Sequence, residues 1–183
     1  MSRGLGIPDL KEAQQADTWD FSKRYTDEAA LGHHMEQAHT QDMHKWMNSG
    51  NLASEPDVFM LDQAQGLDFV RPQVKTHPDP LLIVTDLEYK LGTAKSTIPY
   101  WKAVFETTRD DEQGALLWQL ANDPKNPDRL FAVHAYESRD YLMSVHAVSK
   151  AIKECHAHGK EIQTDIKPYF LKVVGGYLYR ETK

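Results

Sequence analysis

Residues 128–149, DRLFAVHAYESRDYLMSVHAVS, contain the two patterns that decide the fold. Residues 130–136 are mostly apolar and include valine, phenylalanine and tyrosine, which is typical of a β-strand. Ser138 is a favourable helix N-cap, and the apolar residues after it recur at helical spacing to about residue 156. A buried strand followed by an amphipathic helix indicates a fold in which helices cover a sheet.

The chain on both sides of this stretch continues the pattern. The predicted elements are a strand at 81–89, a helix at 94–108, a strand at 114–121, a loop at 122–127, a strand at 130–136, a helix from Ser138 to about residue 156, and a strand at 167–179. This β-α-β-β-α-β order predicts a ferredoxin-like α+β unit. Pro99 is predicted to mark the first turn of its helix or a kink. Gly175 and Gly176 predict a bulge or bend in the last strand.

An earlier stretch of the chain repeats the strand–helix pattern. Residues 17–39, DTWDFSKRYTDEAALGHHMEQAH, also pass from a short extended run through a tyrosine and a polar cap into an amphipathic helix. Tyr25 precedes Gly66 by 41 positions, and Tyr136 precedes Gly176 by 40. Each glycine follows a short apolar pair, Met-Leu in one copy and Phe-Leu in the other. The sequence therefore indicates an internal duplication.

The first copy is incomplete, because an offset of about 111 places its opening strand and helix before residue 1. Its remaining predicted elements are a strand at 21–25, a helix at 27–47 and a terminal strand at 58–61. We therefore predict three segments. They are an incomplete repeat at 1–70, a linker at 71–80 and a complete repeat at 81–183.

The composition excludes several classes of protein. The 183 residues include 21 Lys and Arg against 27 Asp and Glu, which gives a formal charge of −6. This acidity disfavours nucleic acid and anionic membranes as partners. No apolar run approaches the ~18 residues of a membrane span, and the N-terminus has no signal-peptide pattern. Cys155 is the single cysteine, so no internal disulfide forms. We expect a cytoplasmic protein.

Two stretches resemble the antibiotic biosynthesis monooxygenase (ABM) domain. The first is residues 24–31, RYTDEAAL, followed by His34 and His39. The second is a looser form of the same signature in the complete repeat, which consists of Tyr136, Glu137, Ser138, His146 and Ser149. Residues 170–177, FLKVVGGY, are similar to the end of such domains in their tandem form.

The resemblance implies a dimeric α+β barrel, in which two four-stranded sheets face each other and helices cover the outside. In such domains a small aromatic or polyketide-like substrate binds between the sheet and the helices of each unit. Some members oxidise phenols to quinones with O₂ and without metal or flavin, some degrade haem, and many have no known chemistry. The missing half of the first repeat removes part of one of the two cavities.

Two histidines are the candidate catalytic residues. His134 is the polar residue within an apolar strand, where it shares a face with Tyr136, and it is the first choice for a general base. His146 lies at the edge of the buried helix face, where it could point into a cavity or simply pack against the sheet. The resemblance marks this helix histidine as a signature residue.

Four further residues are candidates for substrate binding. Trp118 and Tyr136 could provide a flat apolar wall, and Trp101 and His39 lie on the apolar faces of their predicted helices. The alternative for each is an ordinary core side chain. For Trp118 and His39 the core is the better interpretation.

The sequence predicts no cofactor. His34, His39 and His44 advance by five residues each, which scatters them around a helix and argues against a metal site. No Gly-rich phosphate loop, dinucleotide fingerprint or GxSxG elbow occurs.

Three functions remain open at this point. The first is a cofactor-independent monooxygenase or related proton-transfer enzyme that acts with O₂ on a small aromatic, polyketide-like substrate. The second is a haem-binding or haem-degrading barrel, and the third is a non-catalytic ligand-binding or assembly module. An incomplete repeat leaves apolar surface and a sheet edge exposed, so we also expect a homodimer with residues 35–47 near the contact.

Overall fold

The computed structural model describes residues 25, 27–52, 54–55 and 57–173. They fall into two compact units, with the boundary between Phe59 and Met60. The strands are β1 (Asp62–Val70), β2 (Leu81–Tyr89), β3 (Ala115–Asp123), β4 (Asn126–Tyr136) and β5 (Gln163–Leu171). The helices are α1 (Glu28–Glu36), α2 (Ala38–Trp46), α3 (Ile98–Asp111), α4 (Arg139–Tyr141) and α5 (Lys150–Gly159).

The larger unit contains the predicted ferredoxin-like fold. Strands β2, β3, β4 and β5, with α3 and α5 between them, follow the β-α-β-β-α-β order. The five strands form one antiparallel sheet in the order β1-β3-β4-β2-β5. The predicted α+β class and the ferredoxin-like unit are confirmed.

The terminal strand of the first repeat lies further along the chain than predicted. Residues 58–61 are exposed and form no strand, whereas β1 begins at Asp62 and pairs with β3. The pairing has an irregularity between Gln63 and Asp68, and it contains Gly66, whose φ is +71°. Glycine adopts this backbone without strain, which allows a bulge. The larger unit therefore begins before β1, ahead of the predicted linker at 71–80.

Helix α3 begins at Ile98, later than predicted, because residues 94–97 form a 3-10 turn, and Pro99 lies in the first turn of the helix. Its buried side chains are Trp101, Val104, Phe105 and Thr108. The predicted loop at 122–127 is shorter in the structure, because β3 and β4 extend into it and leave Pro124 and Lys125 at the turn. The Asp123 carboxylate accepts a hydrogen bond from the Lys125 N–H at 2.8 Å, which stabilises this tight turn.

The helix predicted after Ser138 is divided in two. Ser138 caps α4, which continues as a π-helical turn over Leu142–His146. Ser149 then has an extended backbone and caps α5 by accepting a hydrogen bond from the Ile152 N–H. A serine that caps a new helix interrupts the preceding one. The following strand starts at Gln163, earlier than predicted, and the predicted bend at Gly175–Gly176 lies outside the described residues.

In the smaller unit two helices, α1 and α2, replace the single helix predicted at 27–47. The Asp27 carboxylate caps α1 by accepting a hydrogen bond from the Ala30 N–H at 2.8 Å, and Gln37 separates α1 from α2. Helix α1 has no buried residue, and Met35 is 43% exposed. The break at Gln37 changes the helix phase, and Thr40 becomes the buried residue of α2. Most of the strand predicted at 21–25 lies outside the described residues.

The main core of the larger unit lies between the sheet and helices α3 and α5. This core includes Leu87, Tyr89, Trp101, Phe105, Trp118, Leu120 and Ile152. The other face of the sheet has a smaller core that includes Val74, Leu117 and Ala135. Among the helices of the described residues, none combines the length and apolar character needed to cross a bilayer.

Candidate functional site

His134 lies near the end of β4, in the middle of the sheet. It is paired with Trp118 of β3 on one side and with Ile83 of β2 on the other. The imidazole stacks on the Trp118 ring, with 5.1 Å between ring centroids and 17° between planes. The strand period places Tyr136 on the same face, and its hydroxyl lies 3.5 Å from His134 Nδ1.

His146 lies opposite, at the end of the π-helical turn after α4. Its Nδ1–H donates a 2.7 Å hydrogen bond to Glu112 Oε2, and the Thr108 hydroxyl lies 3.4 Å from the same nitrogen. Both side chains of the pair are almost fully buried, at 5% and 3% exposure. A hydrogen bond of this length fixes the orientation of the imidazole ring.

These two groups of side chains meet in one cluster. The His146 ring lies 5.1 Å from the Tyr136 ring and 5.9 Å from the His134 ring. We call Glu112, Trp118, His134, Tyr136 and His146 the histidine cluster. Sheet side chains form one wall of this cluster, and side chains from the end of α3 and the turn after α4 form the other.

Burial sets the protonation states within the histidine cluster. It lowers the pKa of His134 well below its ordinary value, and the neighbouring His146 lowers that pKa further. Burial raises the pKa of Tyr136 well above its ordinary value, with additional contributions from Glu112 and Tyr141. At neutral pH the cluster therefore contains a neutral imidazole and a phenol that keeps its proton.

Three polar atoms of the histidine cluster have no hydrogen-bond partner among the described residues. They are Glu112 Oε1, Trp118 Nε1 and His134 Nε2. A buried polar group without a partner is costly, on the order of 1–3 kcal/mol. The indole N–H is a donor only and the carboxylate oxygen is an acceptor, so each of them lacks a complementary partner within the cluster.

The structure places the other predicted site residues elsewhere. Trp101 is buried in the core, where its Nε1–H donates to the Tyr89 hydroxyl at 3.1 Å. His39 belongs to the smaller unit and is exposed on α2, with its ring 5.6 Å from that of His34. The histidine cluster itself is built entirely from residues of the larger unit.

Sequence reasoning missed Glu112 and Thr108. Glu112 ends the acidic run Asp110-Asp111-Glu112, which is typical of a solvated turn. The available signal was its position immediately after an amphipathic helix that carries Thr108 on the buried face. In the part of the chain that the structure describes, no three His, Cys, Asp or Glu side chains come together as a metal site.

The lowered pKa of His134 predicts that acid destabilises the protein. Below about pH 6.5 an unfolded histidine binds a proton, whereas folded His134 does not until the pH reaches its lower pKa. The free energy of unfolding should therefore fall by about 1.4 kcal/mol per pH unit as the pH drops below 6.5. Urea unfolding at pH 5, 6, 7 and 8 measures this slope. His134→Gln should reduce this slope and leave the part that comes from His156, whose pKa is also lowered by burial. An unchanged slope would contradict the assignment.

Solved structures of other proteins share this fold. No protein-family model matches the sequence, and no curated protein matches it. A putative monooxygenase from Lactobacillus acidophilus aligns with a TM-score of 0.64 at 15% identity, over 81% of this chain and 67% of that one. A putative monooxygenase from Fusobacterium nucleatum aligns with a TM-score of 0.62 at 20% identity, over 86% of this chain and 72% of that one.

A shorter protein matches one part of the chain. A putative antibiotic biosynthesis monooxygenase from Bacteroides thetaiotaomicron aligns with a TM-score of 0.52 at 12% identity, over 56% of this chain and 97% of that one. About half of this chain thus covers nearly all of a short ABM structure, which is the coverage expected of the tandem form. The larger unit is a ferredoxin-like α+β unit with a buried histidine cluster. Its fold is that of the antibiotic biosynthesis monooxygenase structures, as the resemblance in sequence implies.

Proposed function

We propose that the protein is a cofactor-independent monooxygenase-type enzyme that acts on a small phenolic, polyketide-like substrate. The observation that supports this most is the buried, neutral imidazole of His134, which stacks on Trp118 beside the Glu112–His146 pair. The fold shared with proteins named putative monooxygenases supports the same class of reaction.

The proposed chemistry begins with removal of a proton by His134. Loss of a proton from a phenol or an activated ring CH₂ gives an electron-rich anion that reacts with O₂. Oxidation of a ring CH₂ to a carbonyl releases four electrons, and O₂ accepts all four. One oxygen atom enters the product and the other leaves as water, so the reaction needs no added reductant.

Each remaining member of the histidine cluster has a role in this proposal. Trp118 is a flat surface for the substrate ring, and its unpaired N–H can donate to a substrate oxygen. Glu112 orients His146, which can stabilise negative charge or return a proton to the peroxide formed by O₂ addition. Tyr136 remains protonated and can donate a hydrogen bond as negative charge develops.

Substrate entry requires the histidine cluster to open. His134 is 8% exposed, and the Trp118 and Tyr136 side chains are fully buried. The turn Leu142–His146 closes the side of the cluster opposite the sheet. Because π-helical turns are rare and occur often at functional sites, we take this turn as the segment whose displacement admits a ring.

Oxygen consumption tests the proposal directly. Hydroxylated anthrones should be oxidised to anthraquinones with one O₂ consumed per molecule, and label from ¹⁸O₂ should appear in the product carbonyl. Bound metal and flavin should be measured on the same preparation. Rates no higher than the spontaneous oxidation across a panel of hydroxylated anthrones and naphthols would contradict the proposed reaction.

A further inference from the structure

Arg71 connects β1, α3 and β3 close to Glu112 of the histidine cluster. It directly follows β1, and its backbone N–H donates to the Leu116 carbonyl at 2.8 Å. Its Nε–H donates to the Ala115 carbonyl at 2.7 Å, and its Nη2–H donates to the Arg109 carbonyl at 2.7 Å. One side chain thus holds the end of α3 and the start of β3 together.

The carbonyls that Arg71 binds belong to the segment that presents Glu112. Helix α3 ends at Asp111, and the last carbonyls of a helix have no intrahelical partner. The Arg71 Nη2 also lies 3.4 Å from the Glu112 carbonyl, which accepts a second hydrogen bond from the Ala115 N–H at 3.1 Å. A cation at this end also interacts favourably with the helix dipole. The backbone of Glu112 is therefore fixed from both sides.

The guanidinium itself is held in place by an aromatic ring. It lies over the Phe69 ring at 5.0 Å, and Phe69 pairs with Trp118 in the β1–β3 register. The end of β1 and the residue after it thus contact both walls of the histidine cluster. Through Phe69 this segment reaches Trp118, and through Arg71 it reaches the backbone of Glu112.

We propose that Arg71 is a positioning residue, which sets the backbone of Glu112 so that its carboxylate orients His146. The expected effect of Arg71 on catalysis rests on the proposed function. Its expected effect on the Glu112–His146 hydrogen bond is independent of that function. Arg71 directly follows β1 at the start of the predicted linker, so this segment of the larger unit supports the site of the complete repeat.

Arg71→Met and Arg71→Lys test the proposal, with Arg109→Met as the matched control. Arg109 also lies over a phenylalanine ring, Phe105 at 5.2 Å, but its side chain pairs with the exposed Asp110. The first measurement is the NMR signal of the His146 Nδ1–H proton, which is buried and bound to Glu112, and which is assigned by its loss in His146→Gln. The second is kcat and KM for O₂-dependent oxidation of a hydroxylated anthrone.

Arg71→Met should remove or shift the His146 N–H signal at temperatures where the protein remains folded. It should lower kcat by up to about 100-fold with little change in KM, since small displacements of reacting groups have effects of that size. Arg71→Lys should give an intermediate result, because an ammonium group cannot bind two carbonyls as a planar fork does. Arg109→Met should resemble the natural protein.

The two readouts separate the two proposals. Arg71→Met could have the same His146 signal and the same kcat as Arg109→Met and differ only by a lower melting temperature. That result would show that Arg71 has only a structural role. If the natural protein oxidises no anthrone while the signal still disappears in Arg71→Met, the proposed reaction is wrong and the positioning role stands.

Discussion

His134→Gln should lower kcat for anthrone oxidation by about 10²–10⁴-fold, the range found when a general base is removed. Glutamine occupies a similar space and can hydrogen-bond, but it cannot take up a proton. The loss should appear mainly in kcat, because the stacking wall of Trp118 remains and substrate binding is largely preserved. His146→Gln should lower kcat as well, since it removes the ring that Glu112 orients.

His33→Ala is the control for both substitutions. His33 is exposed on α1 of the smaller unit, where its Nε2 lies 3.2 Å from the Gln37 side-chain amide. Activity should therefore be unchanged in His33→Ala. The activity of all three variants is measured as the initial rate of O₂ uptake, on protein shown to be folded. If His33→Ala is the damaging change and the two cluster variants are active, the site assignment is wrong.

Much of the larger unit could be predicted from local sequence, because its elements agree with their own propensities. Strand β2 spans residues 81–89 as predicted, and Pro99 opens α3 where its missing N–H costs nothing. The alternation along β4 also placed His134 and Tyr136 on one face. These features depend on period and capping, which a single sequence contains.

The predictions that are wrong or missing concern positions where tertiary contacts override the local sequence preference. Residues 58–61 are apolar and favour a strand locally, yet the edge of β3 is occupied by the more polar β1. A positive φ at Gly66 permits that register of β1 with β3, and no periodic pattern in the sequence predicts this backbone conformation. Glu112 is similar, because its backbone carbonyl is contacted by Arg71, which lies 41 positions away in the sequence.

Trp118→Ala should cost about 3–5 kcal/mol in the free energy of unfolding, the usual range for removal of a fully buried tryptophan. The Trp118 side chain is fully buried, with its ring centroid 5.4 Å from that of Phe105 and 6.4 Å from that of Trp101. Truncation would leave a cavity at the centre of the core. For a domain of ordinary stability, ~5–15 kcal/mol, this loss is a large fraction of the total. Chemical denaturation at pH 7.5 measures it.

Trp118→Phe separates a core role from a substrate role. Phenylalanine retains an aromatic ring and should cost much less stability, but it removes the indole N–H that has no partner among the described residues. If Trp118 binds the substrate, Trp118→Phe should raise KM several-fold. Leu120→Ala is the matched control, because Leu120 is a fully buried residue two positions along the same strand and outside the histidine cluster. It should lower stability by about 2–5 kcal/mol and leave KM unchanged. An unchanged KM in Trp118→Phe would make Trp118 an ordinary core residue.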